Sequence, residues 1–435
     1  MNYLRISGIT LVCVGVLSAA EQEWVKKSNE HAKVLLETMA RFSPESAGRT
    51  GVDGLDEHIS QISEKVRLEE IAAQRQAIVE LNKRLKAETD ARVRQDLEIM
   101  IAETERELKA EAVNNKLRLP YFPAGQMVFG GLRSLLDDQV SPERRKAAMV
   151  RLKKYTGREP GFTPITVQAE KLLREKLADK KLLGPFKSQV EQDLANSDSF
   201  INGLGQLFEK YKLDGYQVSY SELKKQVAAY NDFVRKEILP RTREDFRLPP
   251  ELYRLALDSY GVDIPADQLT KMAHESFNDL QKQMNVIAAR VAKQRMWAFT
   301  DYRQVIKELK KDQIFGDAIL PHYFARLKQI EEIVRRENLV TLPTRQARIR
   351  LASAAESAAS PAPNMRPPRL VGNTGEMGEF VLPLVVPTAD GKGLAMDDFT
   401  YSAISWTLTA HELRPGHEMQ FAKMVENGVS TARAV

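Results

Sequence analysis

Cysteine is almost absent from this sequence. Cys13 is the only one among 435 residues, and it lies in an N-terminal stretch that we expect to be removed. The mature chain would then contain no thiol, which excludes disulfide bonds, cysteine nucleophiles and thiolate metal ligands. Stability must therefore come from a buried core, for which a hydrophobic content of 43% over this length is sufficient.

A strong charge of either sign is also missing. The chain has 64 Lys and Arg residues against 59 Asp and Glu residues, for a net charge of +5. No block of basic residues stands out, so the composition argues against a nucleic-acid partner. A charged share of 28% with 7% aromatic residues is typical of a soluble protein.

The apolar run at the N-terminus is too short to span a membrane. It covers residues 6–17, whereas a spanning helix needs about 20 apolar residues. Arg5 precedes this run, and the small residues 18–20 follow it, which is the pattern of a secretory signal peptide. A membrane anchor is the alternative. We predict that residues 1–20 are cleaved and that the protein is exported, periplasmic or extracellular, without a stable membrane anchor.

Helical periodicity dominates most of the mature chain. Residues 55–113 predict a long helix or a helical hairpin, and residues 269–287 predict a helix of about six turns. Residues 121–131, "YFPAGQMVFGG", interrupt the pattern and predict a loop. No repeat of 20–50 residues is present, which argues against a solenoid.

The character of the sequence changes near residue 338. Residues 338–343 and 345–353 predict strands, and residues 378–388 predict an extended segment at a sheet edge, because its prolines cannot donate to a ladder. The expected fold is mainly α with a small β-sheet (α+β). We expect one domain over residues 21–435, with a helical part over 21–337 and the sheet and active-site helix over 338–435.

The segment "HELRPGHEMQF", residues 411–421, contains the strongest chemical signal. His411 and Glu412 begin like a zinc-peptidase motif, but the second histidine, His417, comes six residues after the first rather than four. On a regular helix a separation of six places the two rings on roughly opposite faces. Pro415 cannot continue the helix and Gly416 permits unusual backbone angles, so a break there could bring His417 back to the first face.

The alternative is an accidental His-Glu pair next to a helix break. His-Glu pairs are common, and this chain has another at His274–Glu275, which lacks a second histidine at a useful spacing. His31, His58 and His322 are isolated as well. The residues alone leave the choice between a metal site and an accidental pair open.

The segment "TAHELRPGHEMQ", residues 409–420, resembles the signature of domain-of-unknown-function family 885, which is grouped with zincin-like metallopeptidases. Residues 239–253 and 338–368 are similar to further segments of that family. The resemblance extends from about residue 30 to the end of the chain.

This resemblance implies a mostly helical peptidase of the gluzincin type that uses Zn²⁺. His411 and His417 would be zinc ligands, and Glu412 would be the general base. A strand at the sheet edge, around residues 379–386, would pair with an extended peptide substrate.

Two positions depart from the family pattern. Many relatives have a histidine directly after the last motif histidine, where this chain has Glu418. Relatives also carry a glutamate ligand on a later helix. We expect neither Glu418 nor Glu426 to replace it. The third ligand is therefore expected beyond residue 435, in a chain that is truncated and impaired as given. If the chain as given bound zinc and cleaved peptides as well as a longer version, the acids Glu376, Glu379, Asp397 and Asp398 would become the candidates for this ligand.

These arguments lead to two hypotheses about function. The first is an exported zinc-dependent metallopeptidase that hydrolyses short peptides with a zinc-activated water. The alternative is a non-catalytic, secreted helical binding or scaffold protein with a decayed metal motif. Zinc stoichiometry distinguishes the two hypotheses.

Overall fold

The computed structural model of the protein describes residues 22–388 and 393–434. The predicted signal peptide, residues 1–20, lies outside the described residues. Helices make up most of the described chain, and the strands are short and few. The predicted α+β class with a small sheet is therefore confirmed.

Nine α-helices precede the middle of the chain: α1 (Glu23–Phe42), α2 (Pro44–Thr50), α3 (Glu64–Ala87), α4 (Ala91–Leu117), α5 (Ala124–Arg133), α6 (Pro142–Arg145), α7 (Ala147–Tyr155), α8 (Ile165–Leu177) and α9 (Lys187–Lys210), within the described residues. Nine further α-helices of the described residues follow in the second half of the chain: α10 (Gln217–Phe233), α11 (Pro250–Ser259), α12 (Ala266–Arg295), α13 (Tyr302–Leu309), α14 (Ile319–Arg336), α15 (Ala354–Ala359), α16 (Ser402–Leu408), α17 (His417–Asn427) and α18 (Thr431–Ala434).

The strands of the described residues form two small sheets. They are β1 (Arg348–Leu351), β2 (Asn364–Arg366), β3 (Glu379–Leu382), β4 (Val385–Val386) and β5 (Leu394–Ala395). The first sheet has the order β1-β3-β2, in which β3 runs parallel to β1 and antiparallel to β2. β4 and β5 form a separate antiparallel pair.

The predicted helical hairpin is confirmed as α3 and α4. Each helix has a side-chain cap at its start: Ser63 accepts from the Val66 N–H, and Asp90 accepts from the Arg92 N–H. Leu81 of α3 packs in one cluster with residues of α1 and α4, and it is fully buried. The apolar stripe of the hairpin therefore faces α1, while its charged side faces solvent.

The predicted loop over residues 121–131 is wrong, because most of this segment belongs to α5. Val128 and Leu132 of this helix are fully buried. A Cβ on Gly131 would lie 2.1 Å from the Tyr155 hydroxyl oxygen, so a glycine is needed there for close packing between helices. The glycines that suggested a turn instead allow neighbouring elements to approach.

The sheet-edge prediction for residues 378–388 is wrong for β3, which is the central strand and pairs on both sides, whereas β4 pairs only with β5 among the described strands. Pro383 and Pro387 come directly after the last residues of β3 and β4. Their missing N–H groups therefore do not interrupt a ladder. The implied pairing of residues 379–386 with a peptide substrate is excluded for β3 in the structure as described.

Of the two segments between residues 338 and 353 that were predicted as strands, only one contains a strand. Residues 345–353 contain β1, as expected, whereas residues 338–343 form no strand. Leu339 and Val340 in that segment are exposed, so their apolar side chains have no sheet face to cover. The predicted helix over residues 269–287 is present within the longer α12.

The three-stranded sheet supports the segment that carries the two motif histidines. Leu413 is fully buried and packs in one cluster with Phe380 and Leu382 of β3 and Tyr323 of α14. Burying large apolar side chains is worth about 1.5–3 kcal/mol each, so this cluster fixes the segment firmly. None of the described helices has both the length and the apolar character needed to cross a membrane.

Candidate metal centre

The helix before the motif is held in place by a buried polar cluster. Ser405 of α16 is fully buried, and its hydroxyl accepts a hydrogen bond from Arg326 at 3.0 Å and donates to the Ser402 carbonyl at 2.7 Å. His322 Nε2 lies 2.9 Å from the same hydroxyl oxygen. Burial and the nearby Arg326 charge lower the pKa of His322. His322, which is isolated in the sequence, therefore joins α14 to α16.

The helix widens and ends within the motif. Residues 409–413 form one π-helical turn, and the Arg414 N–H bonds to the Thr409 carbonyl at 3.2 Å. A Cβ on Gly416 would lie 1.9 Å from the His411 carbonyl oxygen. Only glycine therefore allows the chain to pass this close to the end of the turn. The next helix, α17, begins at His417.

This break brings the two histidines together. The imidazole centroids of His411 and His417 are 4.7 Å apart, and the ring planes are at 89° to each other. The distortion expected between Glu412 and Gly416 is present, and the two rings do not point to opposite faces. π-helical turns of this kind are frequent at functional sites.

Glu412 directly follows His411 in the chain, and its side chain is much less accessible. Its side chain is 11% exposed, against 64% for His411, and its Oε1 lies 3.9 Å from His411 Nε2. An exposed imidazole can bind an ion from solvent, and a sheltered carboxylate next to it can accept a proton from a nearby water molecule.

Arg414 joins the break to three other parts of the chain. Its guanidinium donates to Glu418 Oε2 on α17 at 2.7 Å, to Glu331 Oε1 on α14 at 2.6 Å and to the Arg345 carbonyl. Burial opposes the charge, but the two carboxylates raise the pKa of Arg414. Sequence reasoning missed this network. The only local signal was the spacing of four residues between Arg414 and Glu418.

The two acids on α17, which we did not expect to be zinc ligands, make contacts with other parts of the chain. Glu418 is 1% exposed and bonds to Arg414, and burial raises the pKa of Glu418. Glu426 accepts from the backbone N–H groups of Thr344 and Arg345. Although burial opposes its charge, hydrogen bonds from Thr344 and Arg345 lower the pKa of Glu426 to about 2. Neither carboxylate is available as a third ligand.

The upstream acids that were candidates for the third ligand make other contacts. Glu379 pairs with Arg350 at 2.8 Å, and both Asp397 and Asp398 pair with Lys310 at 2.9 and 2.8 Å. Glu376 accepts from the Thr374 N–H at 2.7 Å. Over residues 22–388 and 393–434, no group of three His, Cys, Asp or Glu side chains is placed to hold a metal.

The residues present fit two positions of a zinc site. Zinc accepts neutral imidazole nitrogens at about 2.0–2.1 Å, and two rings in edge contact can direct one nitrogen each to a shared ion. A catalytic zinc usually has three protein ligands and a water. His411 and His417 would supply two of them, and a third ligand after residue 435 stays a prediction.

Two solved structures have a fold similar to that of the chain. One is described as a putative lipoprotein of unknown function from Shewanella oneidensis, with a TM-score of 0.60, 16% identity and coverage of 95% of this chain and 74% of that chain. The other is a putative lipoprotein from Colwellia psychrerythraea, with a TM-score of 0.62, 14% identity and coverage of 92% and 73%. At such identities the likeness shows the fold alone.

No curated protein matches the chain. A family described as "Bacterial protein of unknown function (DUF885)" matches it over residues 44–435. That range includes the helical part, the sheet and both motif histidines. The family resemblance seen in the motif is thereby confirmed, and the chain belongs to this family of bacterial proteins of unknown function.

Proposed function

We propose that the protein is an exported zinc-dependent metallopeptidase of the zincin-like, gluzincin type that hydrolyses peptide bonds of short peptides. The observation that carries this proposal is the convergence of His411 and His417 across the Pro-Gly break, with the Glu412 carboxylate 3.9 Å from His411. An accidental His-Glu pair has no reason to be followed by a turn that returns a second imidazole to within 4.7 Å of the first.

The roles of the three residues follow from their chemistry. His411 and His417 would hold the ion through neutral ring nitrogens. Zinc, when bound, supplies Lewis acidity and lowers the pKa of a water toward neutrality. Glu412 would take the proton from the attacking water and pass it to the leaving amine. Its sheltered position next to the exposed His411 suits a base that must act on one water molecule.

A strand next to the site could bind the substrate backbone. β2 pairs with β3 along one edge, and no described strand pairs with its other edge. β2 also packs against the π-helical turn and α17. We therefore assign the peptide-pairing role to β2 instead of residues 379–386, since a strand edge without a paired neighbour can bind an extended peptide through main-chain hydrogen bonds.

Two observations support export. The sequence of residues 1–20 has the pattern of a signal peptide, and two proteins with a similar fold are described as putative lipoproteins. A peptidase of this kind would act on peptides outside the cytoplasm. A helical shell around the site favours short peptides over folded proteins, an expectation that rests on related folds.

The proposal is tested with a mixed peptide library. The protein is stripped of metal with a chelator, and hydrolysis is followed by mass spectrometry before and after zinc is restored. We expect zinc-dependent cleavage that is lost in His411→Ala and in His417→Ala. The matched control is His274→Ala, which removes the exposed histidine of the other His-Glu pair.

A version of the protein extended to the natural stop of its gene is measured in parallel. We expect the chain that ends at Val435 to be the poorer enzyme, because its third ligand is predicted to lie further on. Equal zinc affinity and turnover in both versions would place the third ligand within residues 21–435. No zinc-dependent hydrolysis in either version would favour the alternative, a non-catalytic binding or scaffold protein.

A further inference from the structure

The long helix α12 stands apart from the rest of the described chain. All side chains from residue 270 to residue 280 are exposed, on every face of the helix. The contacts of α12 with α13 lie in the second half of α12, where Gln281 donates to the Tyr302 hydroxyl and Ala288 and Ala292 are buried against Val305. A helix exposed all round gains little from packing, so its sequence is expected to be polar unless a partner covers it.

The exposed part of α12 is instead apolar along one stripe. Phe277, Leu280 and Ile287 are 59%, 56% and 57% exposed, and Met284 is 36% exposed. Their positions alternate in steps of three and four, which is the spacing of the a and d positions of a coiled coil. We call these four residues the α12 seam. A seam with this period packs better against a second helix than against a flat surface.

The charges on α12 are divided between its two halves. The half before residue 280 carries three acids and one base, and the half after it carries four bases and no acid: Asp267, Lys271, Glu275 and Asp279, then Lys282, Arg290, Lys293 and Arg295. Two copies of this helix side by side in parallel would place charges of like sign together. An antiparallel arrangement places the acidic half of each copy along the basic half of the other.

We propose that a second copy of the chain docks on the α12 seam in an antiparallel orientation, giving a dimer with two-fold symmetry. An axis near residue 282 pairs Leu280 with the partner's Met284, and Phe277 with the partner's Ile287. The same surface is used by both copies, so the interface closes on itself and does not propagate. This inference is independent of the metal centre.

The first test measures the oligomeric state of the purified protein by analytical ultracentrifugation. Leu280→Glu places a charge in the centre of the seam and should weaken the dimer on the order of tenfold or more. Val286→Glu is the matched control, because Val286 is 64% exposed on the same helix but lies off the seam. Since both side chains are exposed, unchanged circular dichroism should verify that each variant keeps its fold.

The second test measures orientation by disulfide crosslinking, with Cys13, the only cysteine among the 435 residues, replaced by Ser wherever the N-terminal segment is retained. Gln283 and Ser276 lie along the same flank of the seam. In the proposed arrangement the two copies of residue 283 are offset by about 3 Å along the axis, and those of residue 276 by about 18 Å. Gln283→Cys should therefore crosslink to itself, and Ser276→Cys should not.

Three results would overturn the proposal. A monomer at micromolar concentrations would show that a second copy does not cover the seam, and a monomer that binds lipid vesicles through α12 would assign the seam to a membrane surface. Equal weakening of the dimer by Leu280→Glu and Val286→Glu would place the interface elsewhere. Crosslinking through Ser276→Cys would exclude the antiparallel orientation.

Discussion

Replacing Glu412 by Gln is expected to leave zinc bound and to lower kcat by about 10²–10⁴-fold, the contribution of a positioned general base. Gln keeps the size and shape of the side chain, and Glu412 is sheltered, so the fold and the His411–His417 contact should persist. Only the capacity to take a proton is lost. The measurement is zinc content together with peptide turnover, in the protein version that shows the higher activity.

Glu275→Gln is the control for this experiment, because Glu275 belongs to the other His-Glu pair and is exposed on α12. We expect its zinc content and turnover to match those of the unmodified protein. If Glu412→Gln also retained full turnover, Glu412 could not be the base. Loss of zinc in that variant would instead assign Glu412 a role in holding the ion.

Replacing Arg414 by Ala is expected to lower the free energy of unfolding by about 3–5 kcal/mol, as when one partner of a buried ion pair is removed. The guanidinium is almost fully buried and bonds to Glu418 and Glu331. Its loss leaves Glu418, which is 1% exposed, without its cation. Because Glu418 follows His417 directly, zinc affinity should fall as well.

Arg335→Ala provides a matched control for Arg414→Ala. Arg335 pairs with the same carboxylate, Glu331, at 2.9 Å, but its side chain is 59% exposed. Exposed pairs contribute about 0–1 kcal/mol, so this variant should be nearly neutral. Chemical denaturation of both variants gives the comparison. If both variants lost the same free energy of unfolding, burial of the Arg414 ion pairs would not explain how much they stabilise the protein.

The helical hairpin and the break in the motif could be predicted because their causes are local. Caps at Ser63 and Asp90, and an apolar stripe along each helix, suffice to define α3 and α4. Pro415 cannot continue a helix, and Gly416 has no side chain to collide with the preceding turn. These properties belong to the residues themselves and do not depend on distant contacts.

The errors arose where a distant partner decides the structure. Gly131 suggested a turn, but Tyr155 needs the space beside it inside a helix. Prolines suggested a sheet edge, but β3 gains neighbours on both sides from residues 348–351 and 364–366. The Arg414 network uses Glu331, 83 residues away in the chain. A single sequence gives no sign of such pairings.

Zinc binding by the paired histidines tests the central claim most directly. Zinc affinity would be measured by competition with a chelator, in the protein version that shows the higher activity, for the unmodified protein, for His411→Ala, for His417→Ala and for the double variant, with His274→Ala as the control. If both rings bind one ion, the protein binds one zinc, each single variant loses at least about tenfold in affinity, and the double variant loses much less than the sum of both free-energy losses. Unchanged affinity in either single variant, or no zinc bound by the unmodified protein, would contradict a shared metal site.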